Sequence, residues 1–177
     1  MLLARAGFER YEVASYAKPG FRCRHNIAYW TGVPYLGLGR SAASMQVGTG
    51  PVHQAGGAAP ATEPAPGVSA SLSPAPDAAR IRFTQLDDAG LSFEREELTA
   101  REAAAEDLML ACRMTDGIGP ELLERAARSI PASLLAGACE RAVARGLAAW
   151  EAGRLKPTHL GWLEGNELFG IFWDLAS

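Results

Sequence analysis

The stretch from Val47 to Arg80 constrains the fold more than any other part of this chain. Of its 34 residues, 23 are Ala, Gly, Pro or Ser, and none is aromatic. Side chains this small bury too little apolar surface to offset the roughly 1–2 kcal/mol per residue that backbone ordering costs. The sequence therefore predicts a flexible linker or surface insertion, with local polyproline II where proline and alanine cluster. His53, inside it, has no second ligand close by and reads as a solvated side chain. The chain is thereby divided into residues 1–46, 47–80 and 81–177.

The two flanks differ in charge. Residues 1–46 hold all four tyrosines and a net charge of +4, whereas residues 81–177 carry a net charge of -6. An overall charge of -3 and a pI of about 5.6 disfavour a strongly basic nucleic-acid binder. Hydrophobic residues make up 48%, but 33 of them are alanines; without these the apolar share falls to roughly 29%, near the lower edge for a packed globule. Four Trp and six Phe argue against disorder throughout. No apolar run approaches the ~20 residues of a membrane span. The opening MLLARAGFER does not read as a signal peptide, so the expected compartment is the cytoplasm. Cys23, Cys112 and Cys139 are an odd, scattered set with no disulfide framework and no local cluster motif. They read as two buried thiols and one loop thiol.

Local signals predict an α/β unit followed by an α-rich one. In the first, Leu2–Ala6 reads as a helix end stopped by Gly7, Tyr11–Ala14 as a strand, and Pro19-Gly20 as a turn. His25–Trp30 reads as one or two helical turns, and Tyr35–Gly39 as a short buried parallel strand. This unit is too small to make a core alone, and its packing partner is expected outside the sequence. In the last segment, Ile81–Phe83 reads as a weak strand and Thr99-Ala100-Arg101-Glu102 as a capping box opening a helix to about Arg113. Pro120 and Pro131 open two further helices at their favoured first position. Leu147–Trp150 and Leu155–Pro157 flank a hairpin turn, and Thr158 caps a last helix to about Leu175. Three helices, a two-stranded wing and a closing helix form a winged-helix pattern.

The densest cluster of polar and aromatic residues is Cys23-Arg24-His25-Asn26-Ile27-Ala28-Tyr29-Trp30. On a helix, His25 and Tyr29 at i and i+4 share a face, with Trp30 beside them. An imidazole beside two flat rings suits a flat ligand with a metal centre such as haem, with His25 as metal ligand. Arg22 and Arg24 stand near enough to pair with propionates. The competing reading is structural: His25 caps a turn, and Tyr29 and Trp30 are core. Glu12 either faces a site from a strand end or pairs with Arg10 or Arg24. The glycines of Leu36-Gly37-Leu38-Gly39 serve close packing or close approach of a ligand. The last helix has an apolar face at Trp162, Leu163, Leu168, Phe169, Phe172 and Trp173, read as core, while His159 reads as surface.

Several blocks in series carry a resemblance. Gly7–Val13, Tyr16–Gly20, Cys23–Trp30 and Tyr35–Gly39 resemble consecutive blocks of the HemW-type haem chaperones, within the radical-SAM, oxygen-independent coproporphyrinogen oxidase-like family. Glu106–Leu110, Asp116–Ile118 and Gly161–Leu175 resemble the C-terminal, winged-helix-like domain of that family. The resemblance covers both flanks and skips the linker. It implies that 1–46 is the end of a partial (β/α) radical-SAM barrel, that 47–80 is a linker and that 81–177 is a winged-helix-like domain. It further implies haem trafficking in the cytoplasm or at the membrane periphery, delivery to a haem-acceptor protein, and His25, Asn26, Tyr29 and Trp30 as the haem-binding motif. Ala17 and the Ser41–Ser44 stretch, including Ala43, would line the barrel mouth near the S-adenosylmethionine pocket.

The family's CxxxCxxC motif, which holds a [4Fe–4S] cluster, is absent from this chain, as are the earlier barrel strands. The resemblance therefore implies a C-terminal part, inactive alone in radical-SAM chemistry and completed by a missing N-terminal barrel half. Ala43 stands where the family usually has His, and Ser15 replaces a common Asn. The HNxxYW block separates the chaperone branch from a second reading, a fragment of a true coproporphyrinogen III oxidase. A third reading, a winged-helix nucleic-acid module, has only Arg141 and Arg145 beside Glu140 on its third helix, too little to neutralise phosphates.

Overall fold

A computed structural model of the chain describes residues 2–47, 78–87 and 92–177. The expected linker lies mostly outside these residues, His53 included. The fold is mixed α/β with small sheets. It divides into two compact units, one from Met1–Val33 with Arg101–Ser177 and the other from Pro34–Ala100.

The first unit is built on local signals. Helices α3 (Ala100–Ala111), α4 (Pro120–Ala126) and α5 (Ala132–Ala144) follow one another and lead into a hairpin of β6 (Ala148–Glu151) and β7 (Arg154–Pro157). Pro120 occupies the first turn of α4 after Gly119, where its missing N–H costs nothing. Helix α5 buries Leu135, Ala138, Cys139 and Ala142, the i, i+3, i+4, i+7 stripe of an amphipathic helix. The hairpin turns on Ala152 and Gly153, both with positive φ (49° and 75°), as a two-residue turn matched to strand twist requires. Thr158 Oγ1 accepts from the Gly161 N–H at 3.0 Å and donates to the Gly146 carbonyl at 2.7 Å. Leu108, Ile118, Ile130, Leu147, Leu155, Leu168 and Phe172 close a continuous core.

Two expectations for this region change. The last helix is two helices, α6 (His159–Leu163) and α7 (Gly165–Trp173), broken at Glu164 (φ -104°, ψ 43°) ahead of helix-averse Gly165. The break also divides the expected apolar face. Leu168 and Phe172 are buried, whereas Leu163 (72%) and Trp173 are exposed.

Residues 2–33 belong to the same unit. Helix α1 (Leu2–Arg5) ends at Gly7, whose φ of +79° suits a residue without Cβ. Tyr11–Ala14 is not a strand. Instead β1 (Glu9–Arg10) pairs antiparallel with β2 (Tyr16–Ala17), and the residues between turn. Tyr11 points into the core, and the backbone of 11–13 reaches Arg113–Thr115. Val13 N–H donates to the Arg113 carbonyl (2.7 Å), and Thr115 N–H donates to the Tyr11 carbonyl (3.1 Å). The packing partner expected outside the sequence is thus supplied in part by Met114, which forms a small cluster with Tyr11 and Ala17.

The second unit holds an antiparallel sheet ordered β3 (Ala43–Val47), β4 (Ala78–Gln85), β5 (Phe93–Thr99). Met45, Ile81 and Leu98 are its buried apolar residues. Tyr35–Gly39 is not a buried parallel strand. Tyr35 makes an antiparallel bridge to Met45, and Leu36 and Leu38 are 75% and 84% exposed. Gly37 is required here, since a Cβ would collide with the Ala43 carbonyl. Val47 and Ala78–Arg80, expected within the linker, are strand residues paired to one another through Val47↔Arg80.

Candidate functional site

Helix α2 (Arg24–Trp30) carries the cluster singled out in the sequence. Its orientation follows from its two faces. Ile27 and Trp30 pack on the Tyr11–Ala17–Met114 cluster. Asn26 Nδ2 donates to Tyr11 Oη at 3.2 Å, fixing the helix from the side. His25 and Tyr29, one turn apart, remain exposed. The Tyr29 ring meets the Trp30 ring edge to face, with centroids 5.0 Å apart and planes at 83°.

Trp30 is held from below as well. The Arg113 guanidinium lies 5.0 Å from the Trp30 ring centroid and 4.4 Å from that of Phe169. Trp30 Nε1 and Arg113 Nε are both buried without a hydrogen-bond acceptor among the described residues. Arg22 reaches Asp116 at 3.9 Å, a loose exposed pair, and Arg24 is exposed at the start of α2.

The remaining predicted site residues lie outside α2. Ala17 is buried in β2, opposite Glu9, on the cluster that supports α2. Ala43 lies in β3 of the second unit, opposite Thr84. Glu12 is buried, with its backbone bridged to Met114, and forms no ion pair with Arg10 or Arg24.

A cleft of about 300 Å³ beside Trp30 and Thr31 was not foreseen in the sequence. Ion pairs line it: Arg125 with Asp107 at 3.3 Å and Arg154 with Glu121 at 3.1 Å. The Glu121 carboxyl is held below the usual carboxylate range, first by its own backbone N–H at the start of α4 and then by Arg154. These charges come from positions between 22 and 154, so no local pattern announces the cleft.

Among the described residues no group of three or more His, Cys, Asp or Glu is gathered for a metal ion. Cys23 is exposed, and Cys112 and Cys139 are buried in the helical core. Burial pushes both buried thiols up, keeping them protonated. These cysteines do not fit an iron–sulfur cluster, which needs several thiolates converging on one point. A single outward imidazole does fit an iron already held by a macrocycle, because the protein then supplies only an axial ligand.

Helix α2 is thus a surface helix anchored on one face, with the His25 imidazole and the Tyr29 ring exposed on the other. The chain is related to HemW-like proteins. It is 26% identical over 168 residues to "Heme chaperone HemW" of Bacillus subtilis, covering 94% of this chain and 38% of that protein. It is 51% identical over 43 residues to the protein of the same name from Synechocystis, and 50% identical over 38 residues to that of Escherichia coli; each match covers 10% of the relative. The chain thus spans well under half the length of the curated relatives it matches. No family profile and no solved structure matches the chain. Among the described residues no helix is long and apolar enough to cross a membrane.

Proposed function

We propose that this chain is the C-terminal part of a haem chaperone that binds haem on α2 and takes part in haem trafficking. In this reading residues 1–46 are the end of a radical-SAM barrel and 81–177 a winged-helix-like domain, and the linker expected over 47–80 excludes Val47 and Ala78–Arg80, which are strand residues. Haem is the cargo. His25 would hold the iron, Tyr29 and Trp30 would offer flat surface to the macrocycle, and Arg22 and Arg24 would meet the propionates. Asn26 acts behind the face, through its bond to Tyr11. Ala17 and Ala43 would line the barrel mouth. The further partners are an N-terminal barrel half, a haem-acceptor protein and the membrane periphery. A [4Fe–4S] cluster and S-adenosylmethionine would belong to that other half.

The observation that carries the reading is the division of α2 into an anchored face and a presented one. A structural histidine would be buried or would cap a turn; His25 does neither, since it is exposed within α2 and the cap position is Cys23. The test is a haem titration of the chain followed by Soret absorbance. His25→Ala is expected to weaken binding by about tenfold or more, since losing even an outer-shell partner of a metal ligand costs about that much. Tyr29→Phe keeps the flat ring and is expected to change affinity less. An unchanged titration in His25→Ala would remove His25 from the site.

A further inference from the structure

A second cleft, of about 600 Å³, lies between α1, the β1–β2 hairpin and α6, and shares no lining residue with the cleft beside Trp30. Its walls are mostly apolar, with Leu3, Phe8, Tyr16 and Trp162 among them. Its volume falls in the range of about 300–1,000 Å³ typical of small-molecule sites.

Arg10 gives this cleft its chemistry. Its guanidinium carbon lies 5.0 Å from the Tyr16 ring centroid and 4.5 Å from that of Trp162. Its Nε donates to Tyr16 Oη at 2.8 Å. Among the described residues no carboxylate forms an ion pair with Arg10. Glu9 also lines the cleft and forms no ion pair with Arg10. Lys18 Nζ, 5.7 Å from the Phe8 ring centroid, adds a second cation near the same wall.

The consequence is geometric. With aromatic rings against it and Nε committed to Tyr16, the guanidinium has its paired Nη edge left to offer. That edge matches a carboxylate bidentately. Flat walls beside it favour a planar ring system over a bulky aliphatic one. We propose that this cleft binds a planar aromatic carboxylate, with its rings among Phe8, Tyr16 and Trp162 and its carboxylate on Arg10. A small aromatic acid and a porphyrin propionate share this chemistry. The proposal does not rest on haem binding at α2.

The test titrates the full ¹⁵N-labelled chain with 2-naphthoate and, separately, with metal-free protoporphyrin IX, following the indole N–H resonances. A saturable shift of the Trp162 resonance without one at Trp150 is expected. Saturation by 2-naphthoate alone assigns a small aromatic acid, and saturation by protoporphyrin assigns a tetrapyrrole carboxylate. Arg10→Gln is expected to weaken binding by about tenfold or more, as loss of a charge-assisted pair does. The uncharged 2-naphthalenemethanol should lose a similar factor in the unaltered protein. Leu3→Trp, which fills the cleft and leaves Arg10 in place, should abolish binding. His25→Ala should leave it unchanged, which separates this site from the one on α2. The proposal is overturned if neither ligand moves the Trp162 resonance. It is equally overturned if Arg10→Gln binds as tightly as the parent while its other indole resonances stay in place.

Discussion

Residues 101–177 and residues 2–33 share one compact unit but are ordered by different means. The first stretch buries its own core, with Leu108, Ile118, Leu155, Leu168 and Phe172 closing on one another. The second buries Tyr11, Glu12 and Ala17, and the apolar partner at their centre is Met114, from the other stretch. One region carries its order and the other borrows it. The candidate haem helix lies in the borrowing region. Its orientation therefore depends on a few long-range contacts: Asn26 to Tyr11, Trp30 to Arg113, and the backbone of Tyr11–Val13 to Arg113–Thr115.

The strongest way to break this contrast is to remove Phe172, which has no exposed surface. Phe172→Ala should cost about 3–5 kcal/mol, the usual range for deleting a buried aromatic ring. Because residues 2–33 rest on this core, both stretches should lose hydrogen-exchange protection together. Protection surviving in residues 9–30 after the helical core has opened would show that the N-terminal stretch is ordered independently.

The next change acts on the borrowed contacts alone. Tyr11→Ala removes a side chain that is 2% exposed and the acceptor for Asn26. It should lower local stability by about 2–3 kcal/mol and release exchange in 9–30 while 101–177 stays protected. Tyr11→Phe keeps the ring and loses one hydrogen bond, so about 1 kcal/mol is expected. If Tyr11→Ala unfolds both stretches in one transition, the borrowing is mutual and the contrast fails.

The same contrast explains what was legible in the sequence. Helices α2, α4 and α5, the β6–β7 hairpin and the Thr158 cap follow from signals within a few residues: Pro120 at a helix start, a glycine in a turn, a threonine three residues before the amide it caps. The β1–β2 hairpin is not legible locally: Tyr11-Glu12-Val13 has strand-like composition, yet its backbone pairs with Arg113–Thr115, about a hundred residues away. Strands β3 and β5 carried little apolar periodicity. Strand β5, Phe93–Thr99, is rich in charge and is held by cross-strand pairs such as Arg82 with Glu96 at 2.9 Å. Of the candidate site, the His25–Tyr29 face was readable from i, i+4 spacing. Its support was not, because Tyr11, Met114, Arg113 and Phe169 converge from three distant segments.

The finest probe of the contrast is a substitution that improves one region and leaves the other alone. Ala152 holds φ at +49° in the two-residue turn between β6 and β7. That left-handed conformation brings Cβ close to the backbone and costs an alanine roughly 1 kcal/mol. Asparagine tolerates it better, and Asn-Gly is the favoured pair for such a turn. Ala152→Asn should therefore raise the stability of residues 101–177 by about 0.5–1 kcal/mol, read as a higher denaturant midpoint at unchanged slope. The free energy for opening residues 9–30 by exchange should stay the same. These residues open by breaking contacts to Tyr11 and Met114, and the hairpin turn touches neither process. An equal gain in both stretches would mean that 9–30 opens only when the whole unit unfolds. The candidate haem helix would then be as stable as the core beneath it.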